Sequence, residues 1–238
     1  MAVRRAQTCR LLLPALVAGA VLGLCVAPSQ GQRRWQSVDV LLLGSSSVNG
    51  PLGITIEREL RAQNVTVRRR FRLSSGFARP DFYDWNDALR HERLDGVRMA
   101  LIYIGGNDTQ GLWLRRSERA STRSEWVRWQ DQERWATVYQ QRVVGFIDRI
   151  CDGGVGRVLV LPPVEGEREE WTARLVRVQR AQADAARQSR CGAVLDVGAF
   201  ERGTLSTTRD GVHLDWEGAR TVWDRIAPQI RSALGDRS

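Results

Sequence analysis

Four short polar clusters hold the side chains of this sequence best suited to chemistry. They are Gly44-Ser45-Ser46-Ser47, Ser74-Ser75-Gly76, Gly105-Gly106-Asn107-Asp108 and Asp210-Gly211-Val212-His213. A serine hydroxyl is a weak nucleophile until a base removes its proton, and histidine is the natural base near neutral pH. The chain has two histidines. His91 lies in the charged run His91-Glu92-Arg93, which leaves His213. Asp210, three residues earlier, can accept the other imidazole N–H, fix its tautomer and stabilise the imidazolium. A serine ahead of a helix sits near backbone N–H groups that favour a developing anion. A glycine lets backbone approach a ligand closely, and an asparagine amide can donate to an oxyanion. Each cluster alone also reads as an ordinary turn: Asn107 as a helix cap, Asp210 as the shaper of its loop. Their order and placement along the chain carry the weight.

The elements that must position these clusters alternate in type. Apolar runs over 38–43, 97–104, 158–161 and 193–197 read as buried strands, and Val65, Val67 and Phe71 alternate like a further one. Between them, 51–63, 82–94, 167–189 and 217–234 read as helices. Trp135, Val138, Arg142, Phe146 and Ile150 mark one more, with a single apolar stripe. Strands separated by helices predict an α/β domain on a parallel sheet with helices on both faces. Such sheets bind ligands beyond the carboxyl ends of their strands, where the clusters fall. Residues 111–131 show no clear period and carry Trp113, Trp126 and Trp129 among arginines. A loop of that length is commonly functional. Its tryptophans suit either sugar stacking or packing on the domain surface.

At 238 residues, 42% hydrophobic and 26% charged, the chain is long enough for one sizeable core, and disorder, collagen and a polytopic membrane protein are excluded. The net charge is +9 and every basic residue is arginine, yet no nucleic-acid signature accompanies the charge. Arg4, Arg5 and Arg10 precede the uncharged apolar run 11–27, with Ser29 and Gly31 placed for cleavage before Gln32. Residues 1–31 therefore read as a secretory signal, or as an uncleaved anchor, and the expected location is periplasmic or secreted. Cys9 and Cys25 belong to that segment. Cys151 and Cys191 each precede a short apolar run, and in an oxidising compartment they are candidates for a disulfide, the alternative being two free thiols. No Cys spacing suggests a metal site, so neither metal nor organic cofactor is expected.

Over roughly 38–232 the sequence resembles the SGNH hydrolases, the GDSL esterase/lipase superfamily. Gly44-Ser45-Ser46 resembles the family's first block, Gly76 its second-block glycine, Gly105-Gly106-Asn107-Asp108 its Gly-x-Asn-Asp block, and Asp210 with His213 its Asp-x-x-His block. The resemblance implies a three-layer α/β/α sandwich with a flavodoxin-like, five-stranded parallel sheet. It implies Ser46 as nucleophile, His213 and Asp210 as its partners, and an oxyanion hole of the Ser46 N–H, Gly76 and Asn107, with no cofactor. Residues 74–85 and 105–110 are similar to an exported bacterial branch whose relatives act on O-acetyl groups of cell-envelope polysaccharides. That implies a monomeric periplasmic esterase for an acylated glycan or small ester, with membrane contact only through an uncleaved N-terminus. A glycan O-acetyltransferase with the same residues, or a non-catalytic envelope-binding module, are the alternatives. Ser45 stands where the family has aspartate, which leaves a choice among Ser45, Ser46 and Ser47. Spacing from Gly44 favours Ser46, with Ser47 and Asn49 as turn and cap residues.

Overall fold

The computed structural model describes residues 37–119, 125–164, 166–198 and 204–235. The expected targeting segment, 1–31, lies outside the described residues. The elements run β1 (Val40–Gly44), the one-turn helix α1 (Ser46–Asn49), α2 (Pro51–Arg61), β2 (Val67–Phe71), α3 (Trp85–Leu89), β3 (Met99–Tyr103), β4 (Leu112–Trp113), β5 (Trp126–Val127), α4 (Gln132–Asp152), β6 (Arg157–Val160), α5 (Glu169–Gln188), β7 (Gly192–Val194) and α6 (Trp216–Leu234).

Five strands pair in parallel in the order β2-β1-β3-β6-β7. The strand sequences explain the layering. Val40, Leu42, Met99 and Leu101 pack with Ile56 of α2 and Val222, Trp223 and Ile226 of α6. The alternate residues Leu41, Leu43, Ala100 and Ile102 pack on the other face with Trp135, Tyr139 and Phe146 of α4 and Val178 of α5. Strands apolar at every position need helices on both sides, and the result is the expected α/β/α sandwich. The order reverses between β1 and β3, so a crevice opens beyond their carboxyl ends.

The sequence-based expectations fail at three places. Phe71 does not continue the inward face of β2 but is 43% exposed, because β2 is an edge strand. Its arginines there pair with Glu57 and Glu92 from neighbouring elements, which protects the edge. The helix expected over 82–94 is only α3: Asp84 caps its start by accepting from Asn86 N–H at 2.9 Å, and Glu92 leaves the helical path to meet Arg68 and Arg70. Residues 111–131 are not one irregular loop. Leu112 and Val127 pair across the antiparallel strands β4 and β5 and are buried.

Cys151, in the last turn of α4, and Cys191, just ahead of β7, form a disulfide with Cα atoms 6.1 Å apart. It ties the amino end of the sheet, opposite the crevice.

Candidate functional site

Ser46 occupies the first helical position of α1, immediately beyond β1. Its backbone N–H therefore has no intrahelical acceptor. Gly50 ends this turn and Pro51 opens α2, the position where a missing N–H costs nothing. The serine is thus held on a short, stiff corner at the mouth of the crevice.

The imidazole arrives from the far end of the chain. Ser46 Oγ lies 2.7 Å from His213 Nε2, although the two residues are 167 apart in sequence. His213 Nδ1 lies 2.6 Å from Asp210 Oδ2. The other oxygen of Asp210 accepts from the Val212 and His213 N–H groups at 2.8 and 2.9 Å and from the Thr208 hydroxyl at 2.9 Å. Partial burial alone would raise this carboxyl. The hydrogen bonds from His213, Val212 and Thr208 outweigh burial and hold it well below the usual carboxylate range. The turn is closed by Gly211, whose φ of +65° favours glycine. Thr208 N–H donates to the His213 carbonyl at 2.8 Å, and Asp215 then caps α6 by accepting from the Glu217 and Gly218 N–H groups.

Of the three neighbouring serines, Ser46 is the one bonded to the imidazole. Ser45 is buried at the cap position of α1. Ser47 lines the same cavity as Tyr103, whose phenol stands at the end of β3. Burial pushes that phenol up to about 12, with the neighbouring Val164 backbone and Ser47 side chain opposing it, so Tyr103 is a neutral wall.

Asn107 sits in the turn after β3, and its Nδ2 donates to the Ser75 carbonyl at 3.0 Å. An amide carries two hydrogens, so one remains to point elsewhere. Gly76 is packed against Asp108, where a Cβ would come within 2.0 Å of Asp108 Oδ1. Asp108 itself is fully buried and accepts from the Phe77 and Ala78 N–H groups at 3.0 and 2.8 Å and from the Tyr139 hydroxyl at 2.8 Å. The carboxylate thereby staples the 75–78 segment to the Asn107 turn.

Ser46, Asn107 and His213 line one cavity of about 220 Å³ with Tyr103, Arg168 and Trp171. Gly76 lies outside this lining. Tyr103, Arg168 and Trp171 were not singled out from the sequence: a strand-end tyrosine and two residues at the start of a helix belong to no motif there. Trp171 Nε1 donates to the Gly106 carbonyl at 2.9 Å, which fixes the indole at the cavity.

The structure does not bring the other tryptophans to this cavity. Trp113 and Trp126 pack edge to face at 5.1 Å, with Arg119 over one ring and Arg79 over the other. Trp129 packs edge-on against the buried Trp135, and the Arg177 guanidinium stacks 3.9 Å from its centroid. The hairpin's rings pack on arginines and on one another, although Trp126 remains 40% exposed. His91 lies in a separate groove beside α3.

A family described as a protein of unknown function (DUF459) matches residues 39–229. None of the curated proteins matches the chain. Among solved structures, an acetyl xylan esterase, AlAXEase, is similar at 18% identity and a TM-score of 0.51, over 81% of this chain and 99% of its own. The psychrotrophic esterase EstA from Pseudoalteromonas sp., in a structure inhibited by monoethylphosphonate, is similar at 8% identity and a TM-score of 0.51, over 83% and 100%. A GDSL-like lipase from Parabacteroides merdae has 11% identity and a TM-score of 0.48, over 80% and 97%. What the first two share with this chain is the fold, an α/β sandwich on a parallel sheet.

Proposed function

We propose that this chain, which belongs to the DUF459 family, an SGNH-like family, is a serine esterase that removes short O-acyl groups, O-acetyl first among them, from a cell-envelope glycan. The observation that carries the reading is the unbroken relay from Ser46 Oγ through both ring nitrogens of His213 to Asp210, at 2.7 and 2.6 Å.

In the proposed reaction His213 takes the Ser46 proton as the hydroxyl attacks the ester carbonyl. Asp210 stabilises the imidazolium without itself taking the proton. The Ser46 N–H and the free hydrogen of the Asn107 amide hold the oxyanion, each worth about 3 kcal/mol of barrier lowering, while Gly76, the third donor implied by the family resemblance, lies outside the cavity lining. The tetrahedral adduct collapses, the C–O bond breaks and His213 protonates the leaving alcohol. Water, deprotonated by His213, then attacks the acyl-serine, and Ser46 leaves with the proton returned.

The cavity of about 220 Å³ favours a short acyl group, since pockets for drug-sized ligands begin at roughly 300 Å³. An acetyl xylan esterase among the similar structures is consistent with that choice. Export to the periplasm or beyond is supported by the Cys151–Cys191 disulfide and by the pattern of residues 1–31. The purified protein lacking residues 1–31 is expected to hydrolyse p-nitrophenyl acetate, and Ser46→Ala to abolish that turnover. Unchanged turnover in the variant removes Ser46 as the nucleophile.

A further inference from the structure

The proposed reaction leaves one charged side chain of the cavity without a task. Arg168 lines the cavity beside Ser46 and His213 and is exposed. Arg79, Arg115 and Arg174 each hold a carboxylate. Among the described residues, no carboxylate pairs with Arg168. The Asp210 carboxylate, also nearby in the fold, is engaged by the imidazole and two backbone N–H groups.

The backbone places Arg168 on a definite side of the chemistry. The Glu167 and Arg168 N–H groups donate to the Gly211 carbonyl at 2.9 and 3.2 Å, within the turn that carries His213. Arg168 thus rises on the imidazole side, where the leaving alcohol must receive its proton. One helical turn on, Trp171 closes the cavity against Gly106. A guanidinium at this position is a planar, permanently charged fork for an oxyanion.

We propose that Arg168 selects esters whose alcohol portion carries an anionic group, a carboxylate or a phosphate, so that the glycan is a polyanion. This rests on the esterase reading above for the place of the alcohol, and the two can be tested apart. The kinetic arm compares acetyl esters of methyl glucoside, methyl glucuronoside and glucose 6-phosphate at low ionic strength, where an exposed charge is least screened. Wild type is expected to favour at least one anionic ester over the neutral one by about two- to fivefold in kcat/KM, the magnitude of one solvent-exposed ion pair. The carboxylate and phosphate arms identify the source. Arg168→Ala should collapse that ratio, Arg168→Glu should invert it and Arg168→Lys should restore part of it. Arg231→Ala, at the far end of α6 and bonded to Gln63, should keep it. A wild-type ratio near one, or a ratio indifferent to Arg168, overturns the inference while leaving the esterase intact. The binding arm titrates Ser46→Ala with acetylated polygalacturonate and with neutral acetylated glucomannan. Preference for the first that disappears with Arg168→Ala supports the inference even if no ester is turned over, an outcome that would defeat only the esterase reading. No preference in either arm ends it.

Discussion

Asp108 and Asp210 accept almost the same donors: two consecutive or near-consecutive backbone N–H groups and one hydroxyl, with the imidazole added at Asp210. Their carboxyls nevertheless move in opposite directions. At Asp108 complete burial dominates and raises the carboxyl above its ordinary value, with the Ala78, Tyr139 and Phe77 bonds opposing it. At Asp210 burial also pushes upward, but half the side chain remains exposed and the hydrogen bonds win. The difference separates two jobs. In the proposed reaction Asp210 supports an imidazolium and has to stay ionised, and it sits where water still reaches it. A carboxylate that staples two loops can sit in the core, provided every oxygen is engaged.

Substitutions that break one region should spare the other's readout. The largest effect is expected from Asp210→Asn, a loss of roughly 10³ to 10⁴ in kcat/KM on p-nitrophenyl acetate with the fold retained by circular dichroism. A loss below tenfold would mean that the Asp210 contact does not assist His213. Asp108→Asn turns an acceptor into a donor facing the Phe77 and Ala78 N–H groups and the Tyr139 hydroxyl. It should cost about 2–4 kcal/mol of stability in denaturant unfolding, more than Asp210→Asn costs.

The pH dependence of that stability sharpens the contrast. Asp210 has a folded value below its unfolded one, so its contribution is present above the unfolded value and is lost as pH falls through the folded value. Asp108 has a raised folded value, so its contribution is full below the unfolded value and is lost as pH rises through the folded one. Melting temperatures compared with wild type upward from about pH 3 should therefore show the Asp210→Asn penalty growing and the Asp108→Asn penalty shrinking as pH rises. Slopes of the same sign would contradict the burial argument. The smallest effect belongs to the hairpin: Trp113→Ala should lower stability slightly and leave kcat/KM for the same ester unchanged, because its ring packs on Trp126 and Arg119 and not on the cavity.

The fold was readable from the sequence because β1 and β3 are apolar at every position and α2, α4 and α6 carry single apolar stripes. Burial on both faces of a sheet leaves that signature and few others. The polar clusters were readable for the converse reason: Ser46, Asn107 and His213 interrupt the pattern at strand ends, where packing does not ask for them. What the sequence hid lies in contacts between distant segments. Trp113, Trp126 and Trp129 drew notice as aromatic residues among arginines, but the arginines stack on them. Trp171 and Arg168 sit at an ordinary helix start, and only the return of the Gly211 turn brings them to the cavity. Phe71 alternates correctly for a strand, yet an edge position exposes it.

The proposed reaction stands on Ser46 being the activated hydroxyl. It is tested most directly by incubating the protein with a fluorophosphonate and mapping the adduct by peptide mass spectrometry. A single adduct on Ser46 that disappears in His213→Ala is expected. An adduct on Ser45 or Ser47, or none under conditions where the protein is folded, would contradict it.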